Sequence, residues 1–129
     1  MRLLLDTHVW LWLQYDPHRL GEALAPVTDP DNDLLFSAAS SWEIAIKWGL
    51  GKLTLPEPPE TWVPKRVATS GVELLAVEHV HALGVASLPR HHRDPFDRLL
   101  VVQAIAERAA IVTADPAMGR YAAEILWAG

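Results

Sequence analysis

The feature of the sequence that most constrains the fold is a series of short, almost wholly apolar runs separated by helical patterns. The first run covers residues 2–5 and stops at a carboxylate, Asp6, after which residues 8–14 form a second apolar stretch with a helical pattern. Similar runs follow at residues 33–38, 71–77, 110–115 and 124–128. Strands without polar alternation are buried on both faces, which is typical of parallel sheets. The sequence therefore predicts an α/β fold built from parallel βαβ units, with helices on both faces of the sheet.

The composition limits the possible functions. The chain has 129 residues, half of them hydrophobic, and we expect one domain over residues 1–129. It has no cysteine, which excludes disulfides and thiolate zinc sites. The net charge of −5 is the wrong sign for a protein whose whole surface binds nucleic acid, so such a partner would need a local basic patch or bound metal ions. We predict no signal peptide or membrane span, and hence a soluble, cytoplasmic protein.

Carboxylates recur at the ends of predicted strands and at the starts of predicted helices. Asp6 and Asp115 close two strands, Glu43 lies in the first turn of the helix predicted over residues 40–53, and Asp94 and Asp97 open the helix predicted over residues 95–109. In a parallel sheet, all the strand ends concerned lie at one edge, which is where ligands bind in open α/β folds. These acids should therefore converge in space.

Each acid also has a purely structural interpretation. Ser40 and Glu43 have the spacing of a capping box, and the pairs Asp94–Pro95 and Asp115–Pro116 resemble a helix cap followed by proline. Asp6 is harder to explain in this way, because it follows three leucines that indicate a central strand, and a buried ionised group is costly unless it is paired.

Taken together, the acids indicate a metal site. Several carboxylates within a few ångström of one another repel and raise each other's pKa, so a cation is needed to hold them together. Oxygen ligands without cysteine indicate a hard divalent ion, Mg²⁺ or Mn²⁺. Such an ion can orient a phosphodiester and activate a water for in-line attack on phosphorus.

The order of four blocks, LLDTHVWLW, SAASSWEIAIKWGLGKL, RDPFDRLLVVQA and IVTAD, resembles a PIN-domain protein, and more narrowly the VapC-type toxins of bacterial type II toxin–antitoxin systems. The resemblance extends over essentially the whole chain. It implies a three-layer α/β/α sandwich around a parallel sheet and a ribonuclease that depends on Mg²⁺ or Mn²⁺. By their places in these blocks, the catalytic and metal-binding acids would be Asp6, Glu43, Asp97 and Asp115.

The resemblance also implies partners: an RNA substrate, a small VapB-like antitoxin protein that blocks the site, and a second copy of the chain in a homodimer. Several further residues are candidates for supporting the acids or contacting substrate, although each also has an ordinary structural interpretation. They are Asp94, Thr7, Thr113, Lys47, Arg93 and His92.

Tryptophan is abundant, with six residues in the chain. Trp10, Trp12, Trp42 and Trp48 lie on predicted helices, where they either pack in the core or form an aromatic surface for a dimer or an antitoxin helix.

The sequence is also compatible with two other functions. A haloacid-dehalogenase-like phosphoryl-transfer enzyme would use Asp6 as nucleophile, but it needs a second Asp two residues later, where this chain has His8. A non-catalytic PIN-like binding module is the other alternative, although binding alone does not require the complete set of four acids.

Overall fold

The structure is a computed structural model that describes residues 1–91 and 93–129. The strands in these ranges are β1 (Arg2–Leu5), β2 (Asp33–Ser37), β3 (Val72–Leu75), β4 (Ala110–Thr113) and β5 (Ile125–Trp127). The α-helices are α1 (Thr7–Tyr15), α2 (Leu24–Thr28), α3 (Ala38–Gly49), α4 (Pro59–Ser70), α5 (His79–Gly84) and α6 (Pro95–Glu107). Short 3₁₀ helices cover Pro17–Ala23, Val85–Ser87 and Pro116–Arg120.

The five strands form one parallel sheet in the order β3-β2-β1-β4-β5. The central strand is β1, in which Leu4 pairs with Leu35 of β2 on one side and with Ile111 of β4 on the other. The chain builds the sheet outward from β1 to β3 and then returns to place β4 on the opposite side of β1. This reversal of strand order opens a crevice beyond the carboxyl ends of β1 and β4.

Alternate residues of the central strand face opposite layers of the core. Leu3 and Leu5 pack in a cluster with Trp10 and Phe36, whereas Leu4 packs on the other face with residues of α6 such as Leu100. The leucine run is fully buried because helices cover both faces of the sheet. The predicted α/β class, with three α/β/α layers around a parallel sheet, is confirmed.

The start of α3 differs from the prediction. Ser37, at the end of β2, caps this helix by accepting a hydrogen bond from the Ala39 amide at 3.0 Å. The predicted capping box of Ser40 and Glu43 is therefore wrong, because β2 runs into α3 without a loop and the first hydroxyl takes the capping position. Both Ser40 and Glu43 lie inside the helix and are buried.

The 3₁₀ helix Pro17–Ala23 is kinked at Gly21. Gly21 has a φ of +58°, and an added Cβ there would lie 3.1 Å from the carbonyl oxygen of Gly129. The left-handed conformation and this close approach both favour glycine at this kink. None of the helices in the described part of the chain is long and apolar enough to cross a membrane.

Candidate active site

Five carboxylates from distant parts of the sequence line one cleft at the carboxyl ends of β1 and β4. The cleft has a volume of about 290 Å³. Its walls are formed by Asp6, His8, Trp12, Glu43, Asp94, Asp97, Ala114 and Asp115. The parallel topology thus brings together the acids that follow β1, precede α6 and follow β4, together with the acid of α3.

Asp6 stands at the N-cap position of α1, but its side chain makes no capping hydrogen bond. It accepts a hydrogen bond of 2.6 Å from the Thr113 hydroxyl instead, and only 5% of the residue is exposed. Burial raises the pKa of Asp6, while the Thr113 hydrogen bond and the nearby His8 partly oppose that rise. The side chain is therefore held toward the cleft and not toward the helix that it precedes.

Thr113 links Asp6 to Asp115. While its hydroxyl donates to Asp6, its oxygen accepts a hydrogen bond from the Asp115 amide at 3.1 Å. The Asp115 carboxylate in turn accepts from the Ala117 amide at 3.0 Å and caps the 3₁₀ helix that follows. The end of β4 thus fixes two of the acids through one buried hydroxyl.

Glu43 is held by hydroxyl and ammonium groups at once. The Thr7 hydroxyl lies 2.7 Å from one carboxylate oxygen of Glu43 and 2.8 Å from the Ser40 hydroxyl, and Lys47 forms an ion pair with the other oxygen. Although burial works against the charged form, the Glu43 carboxylate raises the pKa of Lys47. Buried acids with both oxygens engaged are strongly fixed in position.

Asp94 and Asp97 begin α6. Asp94 caps the helix by accepting hydrogen bonds from the amides of Phe96 at 2.8 Å and Asp97 at 3.3 Å. Pro95 occupies the first helical position, as the sequence predicts. Asp97, in the first turn, is 8% exposed and points its charge into the same cleft that Asp94 lines.

The cleft carries an excess of negative charge. Burial, together with the charges of four surrounding carboxylates, raises the pKa of Asp97 from 3.8 to about 8. In order of effect, those four are Asp6, Asp94, Glu43 and Asp115. A group so destabilised as an anion is typical of functional sites, and a cation in the cleft would relieve the repulsion.

The donor set fits a hard divalent cation, because every one of the five acids offers carboxylate oxygens. Within the described residues, no three Asp, Glu or His side chains already form a group that could hold an ion.

Comparison with known proteins assigns the chain to a family. The family model of the PIN domain matches residues 3–124, which is nearly the whole chain. The chain belongs to the PIN-domain family. The resemblance drawn from its sequence blocks is thereby confirmed.

Two curated relatives of this PIN domain come from Mycobacterium tuberculosis. Ribonuclease VapC22 is 30% identical over 116 residues, which cover 88% of this chain and 86% of that protein. Ribonuclease VapC16 is 45% identical over 73 residues, which cover 50% of this chain. The chain spans about half of the VapC16 length, 52%.

Solved structures with the same fold include two VapBC structures bound to DNA. VapBC2 of Rickettsia felis bound to a promoter DNA fragment matches with a TM-score of 0.75 and 18% identity, covering 100% of both chains. VapBC of Salmonella typhimurium bound to DNA matches with a TM-score of 0.71 and 19% identity, covering 98% of each chain. At this level of identity, the likeness establishes the fold of this PIN domain alone.

The remaining predicted residues have different positions relative to the cleft. Thr7, Thr113 and Lys47 contact its acids, as described above. Arg93 lines a different pocket, together with Arg90 and Arg98, and does not line the acidic cleft. His92 lies outside the described residues.

Sequence reasoning missed two features of the site of this PIN domain. Ser40 is fully buried next to Thr7, where it supports Glu43 in place of its predicted capping role. Trp12 forms part of the cleft wall. Its position on α1, four residues after His8, gave no signal, because aromatic residues on helices are common in cores.

Proposed function

We propose that this PIN domain is a metal-dependent endoribonuclease that acts as the toxin of a VapBC-like toxin–antitoxin pair. The observation that carries the proposal is the electrostatic environment of Asp97, a buried acid whose pKa rises to about 8 among four other carboxylates. A cluster of like charges that lowers the stability of the fold is difficult to explain as helix capping alone. It suits a site that receives a divalent cation and a phosphodiester.

The acids and the side chains around them would have different roles in binding the metal ion. Asp6, Asp97, Glu43 and Asp115 would hold Mg²⁺ or Mn²⁺, which when bound supplies positive charge to the scissile phosphate and to an attacking water. Thr113 keeps the Asp6 carboxylate oriented toward the cleft, and Thr7 does the same for Glu43. Asp94 shapes the start of α6 and adds negative charge to the cleft wall.

The proposed partners rest on the relatives. The matched relatives carry the name ribonuclease, which supports RNA as the substrate, and the matched structures are VapBC complexes, which supports a VapB-like antitoxin. RNA cleavage by such a toxin would take place in the cytoplasm.

Trp10 is buried in the core, whereas Trp42 and Trp48 on α3 are 60% and 40% exposed. Those exposed aromatic residues support an interface with the antitoxin or with a second copy in a homodimer.

The alternatives have less support. A haloacid-dehalogenase-like enzyme would need a second acid at the position of His8, and the match to the PIN domain points to a different fold family. A non-catalytic module would have no use for five acids in one cleft. Trapping a phosphoaspartate at Asp6 would nevertheless favour phosphoryl transfer.

The experiment uses structured RNAs incubated with the protein in Mg²⁺, in Mn²⁺ and in EDTA, beside Asp6→Asn. Asp33→Asn is a matched control, because Asp33 is exposed at the opposite end of the sheet. We expect cleavage that requires the metal, is lost in Asp6→Asn and persists in Asp33→Asn. Equal cleavage by wild type and Asp6→Asn would indicate a contaminating nuclease and overturn the proposal.

A further inference from the structure

A second pocket adjoins the acidic cleft. It has a volume of about 250 Å³ and shares two of its lining residues, His8 and Glu43, with the acidic cleft, so the two spaces lie side by side. The rest of its wall consists of Thr7, Leu11, Ile44, Lys47, Lys52 and Leu53. Its charged residues other than the shared Glu43 are lysines, in contrast to the adjoining cleft.

The end of α3 brings the two lysines of this pocket together. Gly51 has a φ of +71°, and its amide donates to the Trp48 carbonyl at 3.0 Å while the Lys52 amide donates to the Lys47 carbonyl at 2.9 Å. This pair of hydrogen bonds around a left-handed glycine is a Schellman motif. It turns the chain back so that Lys52 stands beside the last turn of the helix, in the same pocket as Lys47.

The two lysines differ in what they contact. Lys47 is half-buried and forms an ion pair with Glu43. Lys52 is exposed, and it has no ion pair in the part of the chain that the structure describes. Its ammonium group is therefore available to an anion.

The pocket floor is apolar. Leu11 and Ile44 are 5% and 0% exposed, and Leu53 is half-buried. His8, an exposed residue with a planar ring, lies between this floor and the acids. Apolar surface beside ammonium groups suits a ligand with a flat ring and a negative charge. Nucleotides have both, and single strands bind proteins through base stacking combined with phosphate contacts.

We propose that this pocket binds one nucleotide of the RNA strand, next to the phosphodiester that lies in the acidic cleft. Lys52 and Lys47 contact its phosphate, and the base packs against Leu11, Leu53 and the His8 ring. The inference rests on the proposed function, since it places the substrate strand across both spaces. It also explains how a chain with a net charge of −5 holds a polyanion beside five carboxylates.

The test measures binding of a fluorescein-labelled single-stranded RNA in Mg²⁺, with all variants in the Asp6→Asn background so that the RNA stays intact. Lys52→Gln is compared with Lys65→Gln, which removes the same charge from an exposed lysine on α4 that pairs with Glu57 and does not line the pocket. Lys52→Arg serves as the conservative variant. Each protein is assayed over a range of salt concentrations, and its thermal melting is recorded to verify the fold.

We expect Lys52→Gln to reduce the slope of log affinity against log salt by about 0.7, the value for one phosphate contact on a single strand, and the affinity at 0.1 M salt by about fivefold. Lys65→Gln should keep the wild-type slope, and Lys52→Arg should restore it. Identical slopes for Lys52→Gln and Lys65→Gln would overturn the inference. An unchanged RNA slope with weaker binding of a co-expressed antitoxin would overturn it too, by assigning the pocket to an acidic protein segment.

The binding and cleavage assays distinguish a failure of the nucleotide pocket from a failure of the ribonuclease proposal. If the wild type cleaves no RNA but Lys52→Gln lowers the salt slope, the ribonuclease proposal is wrong and the nucleotide pocket stands. If the wild type cleaves RNA and Lys52→Gln behaves like Lys65→Gln, the ribonuclease proposal stands and the nucleotide pocket is wrong. In the cleaving enzyme we expect Lys52→Gln to raise KM more than it lowers kcat, because Lys52 contacts substrate away from the reacting phosphorus.

Discussion

Replacing Asp97 by asparagine separates two accounts of the acids at the start of α6. If Asp97 acts only as a first-turn acid, the substitution removes a favourable interaction with the helix dipole and costs about 0.3–1 kcal/mol. If Asp97 instead suffers from the four carboxylates around it, the substitution removes repulsion and stabilises the protein. The two accounts predict changes of opposite sign.

The magnitude follows from the pKa of Asp97, which rises from 3.8 to about 8 on folding. The folded protein then holds this proton more tightly than the unfolded chain, so stability falls as the pH rises from about 4 and levels off above about 8. With about 1.4 kcal/mol for each pH unit, the loss at pH 7 is on the order of 4 kcal/mol. This exceeds the dipole contribution, so Asp97→Asn should be the more stable protein at pH 7 without metal.

The assay is urea denaturation of wild type, Asp97→Asn and Asp33→Asn in EDTA at pH 4.5, 6, 7 and 8.5. The advantage of Asp97→Asn over wild type should be small at pH 4.5 and grow by several kcal/mol by pH 8.5, whereas Asp33→Asn should follow wild type. Added Mn²⁺ should then stabilise wild type more than Asp97→Asn, because the cation offsets the repulsion that the variant lacks.

Two outcomes would refute this reasoning. A destabilised Asp97→Asn at pH 7 would mean that the helix-dipole contribution outweighs the repulsion. An advantage that does not change with pH would mean that the ionisation of Asp97 is not its source.

Other predictions concern the groups around the acids. Thr113→Val should remove the hydrogen bond to Asp6, lower the rate of RNA cleavage by about 10- to 100-fold and move the acidic limb of the pH–rate profile to higher pH. Thr113→Ser should retain most of the activity. A Thr113→Val enzyme with the wild-type rate and pH profile would contradict the role of this hydroxyl. Asp94→Asn should be about 1 kcal/mol more stable than Asp94→Ala in thermal or urea denaturation. Both variants remove the charge near Asp97, but only asparagine keeps the α6 cap, so equal stability of the two variants would count against capping.

The sequence was sufficient to predict the layout of the site because its strands carry so little polar alternation. Three leucines before Asp6 indicated a strand buried on both faces, and such strands occur in parallel sheets, where every carboxyl end lies at the same edge. That single inference brings Asp6 and Asp115 together across β1 and β4, although the two residues are far apart in the chain. The helix caps Asp94 and Asp115 were predictable for the local reason that a proline follows each.

Residue spacing in the sequence was insufficient to predict the positions of side chains that depend on tertiary contacts. The pattern Ser40-x-x-Glu43 has the form of a capping box, but Ser37 takes the cap and leaves Ser40 buried beside Thr7. Which hydroxyl caps a helix depends on how the preceding strand enters it, and sequence spacing does not contain that information. The proximity of Arg93 to the acids in sequence likewise did not place it in the acidic cleft, since it lines a different pocket together with Arg98.

The most direct test of the central claim is a titration of the metal-free protein with Mn²⁺, followed by electron paramagnetic resonance of the free ion. We expect wild type and Asp33→Asn to take up Mn²⁺ with the same affinity, and Asp6→Asn and Asp97→Asn to bind it at least about tenfold more weakly, as expected when a carboxylate ligand is lost. Equal uptake by all four proteins, or none by wild type, would show that the five acids gather at this edge of the sheet for a reason other than a divalent cation.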